Sequence, residues 1–142
     1  NQLITGSLFG AIKILNIETG TCLRTLEELT SPVFSLIINN KNELISGSDD
    51  GTIKIWNMET GECLRTLKGH TGQLNTLVIN NQNELISGSD DKSIRMWNME
   101  SGECLRTLEG HTSWIWTLII NNQNQLLSGS WDGTIKMWNM KT

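Results

Sequence analysis

The chain repeats itself every 41 residues, and no other feature limits its fold so sharply. Leu3, Leu44, Leu85 and Leu126 fall in register, as do Gly6, Gly47, Gly88 and Gly129, and Cys22, Cys63 and Cys104. Residues 42–82 and 83–123 are identical at 30 of 41 positions. A period of this length means one supersecondary unit copied along the chain, no copy of which buries its apolar faces alone. The domain organisation follows as a single array over 1–142. It has a degenerate copy at 1–41, full copies at 42–82 and 83–123, and a partial copy at 124–142. Whatever every copy shares serves the fold first, so functional residues are sought where the copies differ.

One unit reads as four short strands. In residues 70–110, Leu74–Ile79, Leu85–Ser89, Ser93–Trp97 and Cys104–Leu108 are separated by clusters of Asn, Asp, Gly and Ser. Strands of five or six residues at a spacing of roughly ten predict an antiparallel meander. Nothing is long enough, or 3.6-periodic enough, for a helix. Ile53 and Ile55 lie on one side of their strand, and Trp56 and Met58 on the other. A sheet apolar on both faces must sit between two others, and four-stranded meanders stacked this way describe the blades of a β-propeller.

The stretches Gly69-His70-Thr71, Leu85-Ile86-Ser87-Gly88-Ser89-Asp90-Asp91 and Ile94-Arg95-Met96-Trp97-Asn98 resemble the WD40 repeat in order, spacing and period. The fold expected is therefore all-β, a WD40-type propeller of about three and a half blades, whose ring closes by self-association. One departure is that the family's Trp-Asp pair is Trp-Asn throughout, at Trp56-Asn57, Trp97-Asn98 and Trp138-Asn139. The Trp carries the packing and the next residue begins a turn, so the fold expectation stands.

The resemblance also implies a buried hydrogen-bond chain in each blade, formed by His70, Ser87, Asp91 and Trp97, then by His111, Ser128, Asp132 and Trp138. Ser, His and Asp together suggest nucleophilic catalysis. The set occurs twice at the repeat period, however, and it ends on an indole N–H that wants a buried acceptor. It is read as structural, and no enzyme activity is expected. Toward the N-terminus the set decays. Leu29 stands where His is expected in the second blade, leaving Ser46, Asp50 and Trp56. In the first, Thr5 survives, but Phe9 and Leu15 replace Asp and Trp. Leu8, Phe9 and Leu15 thus point either to simple drift or to packing against something other than a regular blade.

Running from inner to outer strand as a, b, c and d, the chain supplies b-c-d, two full sets, then a-b-c, which makes fourteen strands. Propellers typically have 4–8 blades, and an open arc would expose an apolar sheet face at each end. A second copy related by a two-fold axis would close the ring. The alternative is that these residues belong to a longer propeller.

In the resembled family, partners dock on the face carrying the d–a and b–c loops. The positions implied in strand a are Pro32 and Phe34, Gln73 and Asn75, then Trp114 and Trp116. Those in the b–c turn are Leu8, Asp49, Asp90 and Trp131. Trp114 and Trp116 should share a face, because residues i and i+2 of a strand do. Three indoles beside acidic turns would suit a ligand with apolar and cationic parts. The competing reading places one or two rings in the central channel or the seam between blades.

Net charge is −4 and Lys and Arg are spread evenly over the repeats, against the clustered basic face of a nucleic-acid binder. The longest apolar runs, such as Ile115–Ile120, are far short of a membrane span. No basic segment followed by an apolar stretch opens the chain, so no secretory signal is expected. Three cysteines at one repeat position, with no partner at ligand spacing, predict small buried side chains in a reducing compartment and no metal site. Cytoplasmic location and no cofactor are expected. The leading functional expectation is a non-enzymatic scaffold for a peptide or protein partner. A carbohydrate-binding, lectin-like propeller and a recently amplified repeat without a fixed ligand are the alternatives.

Overall fold

The computed structural model describes residues 1–26 and 30–140. Leu29, and with it the position where His is expected in the second blade, lies outside the described residues. Among the described residues the regular structure is entirely strand: β1 (Gln2–Gly6), β2 (Ile12–Asn16), β3 (Cys22–Leu26), β4 (Val33–Ile38), β5 (Glu43–Ser48), β6 (Ile53–Asn57), β7 (Cys63–Leu67), β8 (Leu74–Ile79), β9 (Leu85–Ser89), β10 (Ile94–Trp97), β11 (Cys104–Leu108), β12 (Ile115–Ile120), β13 (Leu126–Ser130) and β14 (Ile135–Trp138). They pair into four antiparallel meanders, ordered β1-β2-β3, β4-β5-β6-β7, β8-β9-β10-β11 and β12-β13-β14. The expected series of b-c-d, two complete blades and a-b-c is the one observed.

The turns explain why the strands stop where they do. After strand c, Asn57 Oδ1 accepts the N–H groups of Glu59 and Thr60 at 2.8 and 3.0 Å. Asn16 and Asn98 repeat the arrangement. An amide oxygen serves here as well as a carboxylate, which is the physical reason that Trp-Asn replaces Trp-Asp without cost to the fold. Between strands b and c the chain takes positive φ at Gly51 and Gly133, whereas the third blade carries Lys92 there at φ 73°.

Packing runs from blade to blade. Ile45, Ile53, Ile55 and Leu67 of the second blade meet Leu74, Leu77, Leu85 and Trp97 of the third in one buried cluster. The third presents Ile86, Ile94, Met96 and Leu108 to Ile115, Leu118 and Leu126 of the fourth. The opposite face of the second blade, with Val33, Leu44 and Trp56, packs on Ile12 and Leu26 of the first. Ile53 and Trp56 thus serve two different cores, as alternation along one strand requires. Gly88 lets strand b approach the next blade, since a Cβ there would lie 2.7 Å from the Ile115 side chain.

The cysteines correct one expectation. Cys22 and Cys104 are exposed and Cys63 is half-buried, all three as free thiols. They open the outermost strand of their blades, at its more exposed end, and each Sγ lies 3.4–3.5 Å from the carbonyl oxygen of the arginine two residues on.

Candidate functional site

Two groups of side chains share the loop end of the blades, one sealed and one open. The sealed group starts from Trp97, whose indole N–H donates to Ser87 Oγ at 2.8 Å. Ser87 Oγ lies 2.7 Å from His70 Nε2, and His70 Nδ1 lies 2.7 Å from Asp91 Oδ2. A proton on Nδ1 directed at Asp91 leaves Nε2 to accept from the serine, so each group has a partner. Asp91 also accepts from the Thr71 N–H and from the backbone and hydroxyl of Ser93. Burial opposes the charge on Asp91, but the donors from His70 and Ser93 outweigh it and hold the carboxyl well below the usual carboxylate range.

The fourth blade repeats this arrangement. Trp138 donates to Ser128 at 2.7 Å, His111 links Ser128 to Asp132, and the Thr134 hydroxyl leads the donors that depress the Asp132 carboxyl. In the second blade, Trp56 donates to Ser46 at 2.9 Å, while Asp50 turns to Ser48 and Thr52. Ser87 and Ser128 are buried, and each oxygen is already engaged by an indole and an imidazole. A nucleophile must reach a carbonyl carbon, and these oxygens face only their own partners.

The open group lies on the rim above it. The N–H of each b–c turn residue donates to the carbonyl of the first strand-a position. Asp49 bonds to Pro32, Asp90 to Gln73 and Trp131 to Trp114, each at 2.9 Å. The third member of each set occupies a β-bulge, because register shifts between Val33 and Ser35, Leu74 and Thr76, and Ile115 and Thr117. A bulge re-aims the side chain of its extra residue. From that position Asn75 reaches Asp90 and Trp116 reaches Trp131 of their own b–c turns, and Trp114 meets Trp131 as well. Trp114 itself lies just before β12.

The side chains differ blade by blade on this common frame. In the third blade, Gln73 Nε2 donates to Asn75 Oδ1 and Asn75 Nδ2 donates to Asp90 Oδ1, both at 2.7 Å. In the fourth blade the three positions form an aromatic trio. Trp131 lies 5.9 Å from Trp114 and 6.2 Å from Trp116, centroid to centroid, with the rings tilted at 58° and 42°. These indoles are 44–65% exposed. Trp116 and Trp131 also border a shallow depression of about 440 Å³ with Gly129, Gly133, Thr134 and Ile135, which extends onto the uncovered face of the fourth blade. Asn75 joins the two sets, since its Nδ2 also lies 2.9 Å from the carbonyl of Ile115, the residue between Trp114 and Trp116. Phe34 is partly exposed, and Leu8 and Phe9 of the first blade stand out into solvent.

Sequence reasoning overlooked a row of arginines on the opposite side. Arg24, Arg65 and Arg106 each reach the next blade's c–d turn, donating to the carbonyls of Thr60, Met99 and Met140 at 3.0, 2.6 and 2.7 Å. Their spacing at the repeat period was the available signal.

The family described as WD domain, G-beta repeat, matches residues 20–57, 61–98 and 102–139. Each match runs from one blade's strand d through strands a, b and c of the next, and β1 and β2 lie outside them. Among solved structures, the computationally designed Ika4 protein is similar at 36% identity and TM-score 0.87, over 97% of this chain and 84% of that one. The computationally designed Ika8 protein matches at 35% identity and TM-score 0.87, over 99% and 43%. The WD40 beta propeller domain of Doa1 superposes with TM-score 0.92 at 24% identity, over all of this chain and 48% of that one. This chain thus spans less than half the length of the last two. No curated protein matches the sequence.

Proposed function

The chain belongs to the WD40 repeat family, and from that premise we propose that it is a non-enzymatic scaffold that holds a peptide or partner protein on its d–a and b–c loop face. Propellers of this family are generally interaction scaffolds. The observation that carries the reading is the contrast between a constant frame and variable occupants. The same main-chain bond supports Gln73, Asn75 and Asp90 in one blade and Trp114, Trp116 and Trp131 in the next. Exposed tryptophan is rare on an inert surface and enriched at binding hot spots. Selection from a displayed peptide library tests it. Binders should lose affinity with Trp114→Ala and Trp116→Ala, and binding indifferent to both removes this face from consideration. A glycan is the rival ligand, favoured by the same indoles, and a glycan array run with the same variants separates the two.

The scaffold also needs a completed ring. Ile135 and Met137 are 79% and 61% exposed, whereas their repeat equivalents Ile94 and Met96 are buried against the next blade. At the other end Leu3 is 49% exposed, and its equivalent Leu85 is fully buried. Each open face thus has its mate in an internal interface, and head-to-tail contact would cover both. A two-fold second copy supplies that contact, as would further repeats of a longer chain, in a cytoplasmic protein. Light scattering on the 142-residue chain checks the first arrangement, and a monodisperse monomer eliminates it.

A further inference from the structure

Resting on the reading of the loop face as the partner-binding face, we propose that the tryptophan trio receives a cationic side chain, a lysine or arginine carried in an extended basic peptide. Trp131 packs on Trp114 and Trp116 at ring tilts of 58° and 42°, so the three indoles form one tilted aromatic cluster that stays open to solvent. An exposed indole face attracts a cation through its ring quadrupole.

Charge favours the same occupant. Asn75 holds Asp90 with one hydrogen and the backbone of Ile115 with the other. A carboxylate therefore sits one amide away from the strand segment that carries Trp114 and Trp116. Asp49 holds the matching turn of the blade before it, and the chain as a whole carries −4. No rim position in this set of three blades holds a Lys or Arg that would repel a cation. An uncharged apolar side chain would gain burial against the indoles but nothing from the carboxylate.

The test uses the whole chain in its native oligomeric form, with isotope-labelled indole N–H signals as reporters. The probe is a short glycine–alanine peptide with one central lysine, arginine or trimethyllysine, or the uncharged tert-butyl isostere of trimethyllysine. The cationic peptides should move the Trp114, Trp116 and Trp131 signals and leave the buried Trp56 and Trp97 in place. They should bind about tenfold more tightly than the isostere, which lies within the range of a cation–π contact. Trp131→Ala should abolish the preference without changing the melting temperature by more than a degree or so. Equal binding of the isostere overturns the inference in favour of a plain apolar site. Movement of the same three signals by a glycan, and not by the peptides, also overturns it. Library peptides that bind while shifting other residues defeat this site and leave the scaffold reading standing. Absence of any library binder defeats both.

Discussion

Removing one serine hydroxyl should cost different amounts in different blades, because the same oxygen serves different numbers of buried partners. Ser87 Oγ takes the indole N–H of Trp97, which is 1% exposed, and also engages His70 Nε2. Ser87→Ala leaves both groups buried and unpaired. Among the described residues Ser46 Oγ takes only the N–H of Trp56, so Ser46→Ala orphans one. A buried polar group left without a partner costs about 1–3 kcal/mol. Taking about 1.5 kcal/mol for each, Ser46→Ala should cost about 1.5 kcal/mol and Ser87→Ala about 3 kcal/mol. The methyl that remains fills nearly the same space, so the cavity contribution is small in both. Urea titration followed by near-ultraviolet circular dichroism measures the difference. Its midpoint should fall about twice as far for Ser87→Ala, at unchanged slope. Equal losses within about 0.5 kcal/mol would refute the counting of orphaned partners as the source of the energy.

Other perturbations probe the remaining features. Lys92 holds positive φ where its siblings are glycine, so Lys92→Gly should stabilise the chain by about 0.5–1 kcal/mol, read as a raised melting temperature. Arg65→Leu removes a donor to Met99 and should cost about 1 kcal/mol, with faster amide exchange confined to the junction of the second and third blades. The Asp91 carboxyl is depressed in the folded chain, so its contribution is present above the ordinary value near 4 and is lost as pH falls below it. Asp91→Asn should therefore flatten the acid limb of the stability profile, and an unchanged limb would count against that carboxylate. Generic ester hydrolysis by the wild-type chain that vanishes in both Ser87→Ala and Ser128→Ala would overturn the structural role of the buried serines.

Much of the fold was legible because repetition makes every signal appear several times. The turn clusters, the alternation of Ile53 and Trp56 and the strand count of fourteen all reappear in the structure. The cysteines misled for a physical reason. An apolar residue type at an invariant position suggests a core, but strand d is the blade's outer edge, and the sequence does not say which strand is outermost. The rim positions of Trp114, Trp116 and Trp131 could be named from the family pattern, yet they converge around a bulge at Trp116. Bulges arise from strand pairing, which no local run of residues encodes. The arginine row was visible as periodic charge, but its acceptors are backbone carbonyls a blade away.

The main-chain bond that ties each b–c turn to its strand-a partner has a consequence for how such a chain changes. Because no side chain takes part in it, Pro-Phe-Asp, Gln-Asn-Asp and Trp-Trp-Trp can occupy the same three places on one frame. Substitution there leaves that main-chain bond in place, so binding preference can drift while the frame of the turn is kept. A chain that lengthens by copying 41 residues acquires, with each added blade, one more blank site already aimed at solvent. Diversity of recognition then precedes any ligand, and a partner that arrives later finds a surface with residues to choose among.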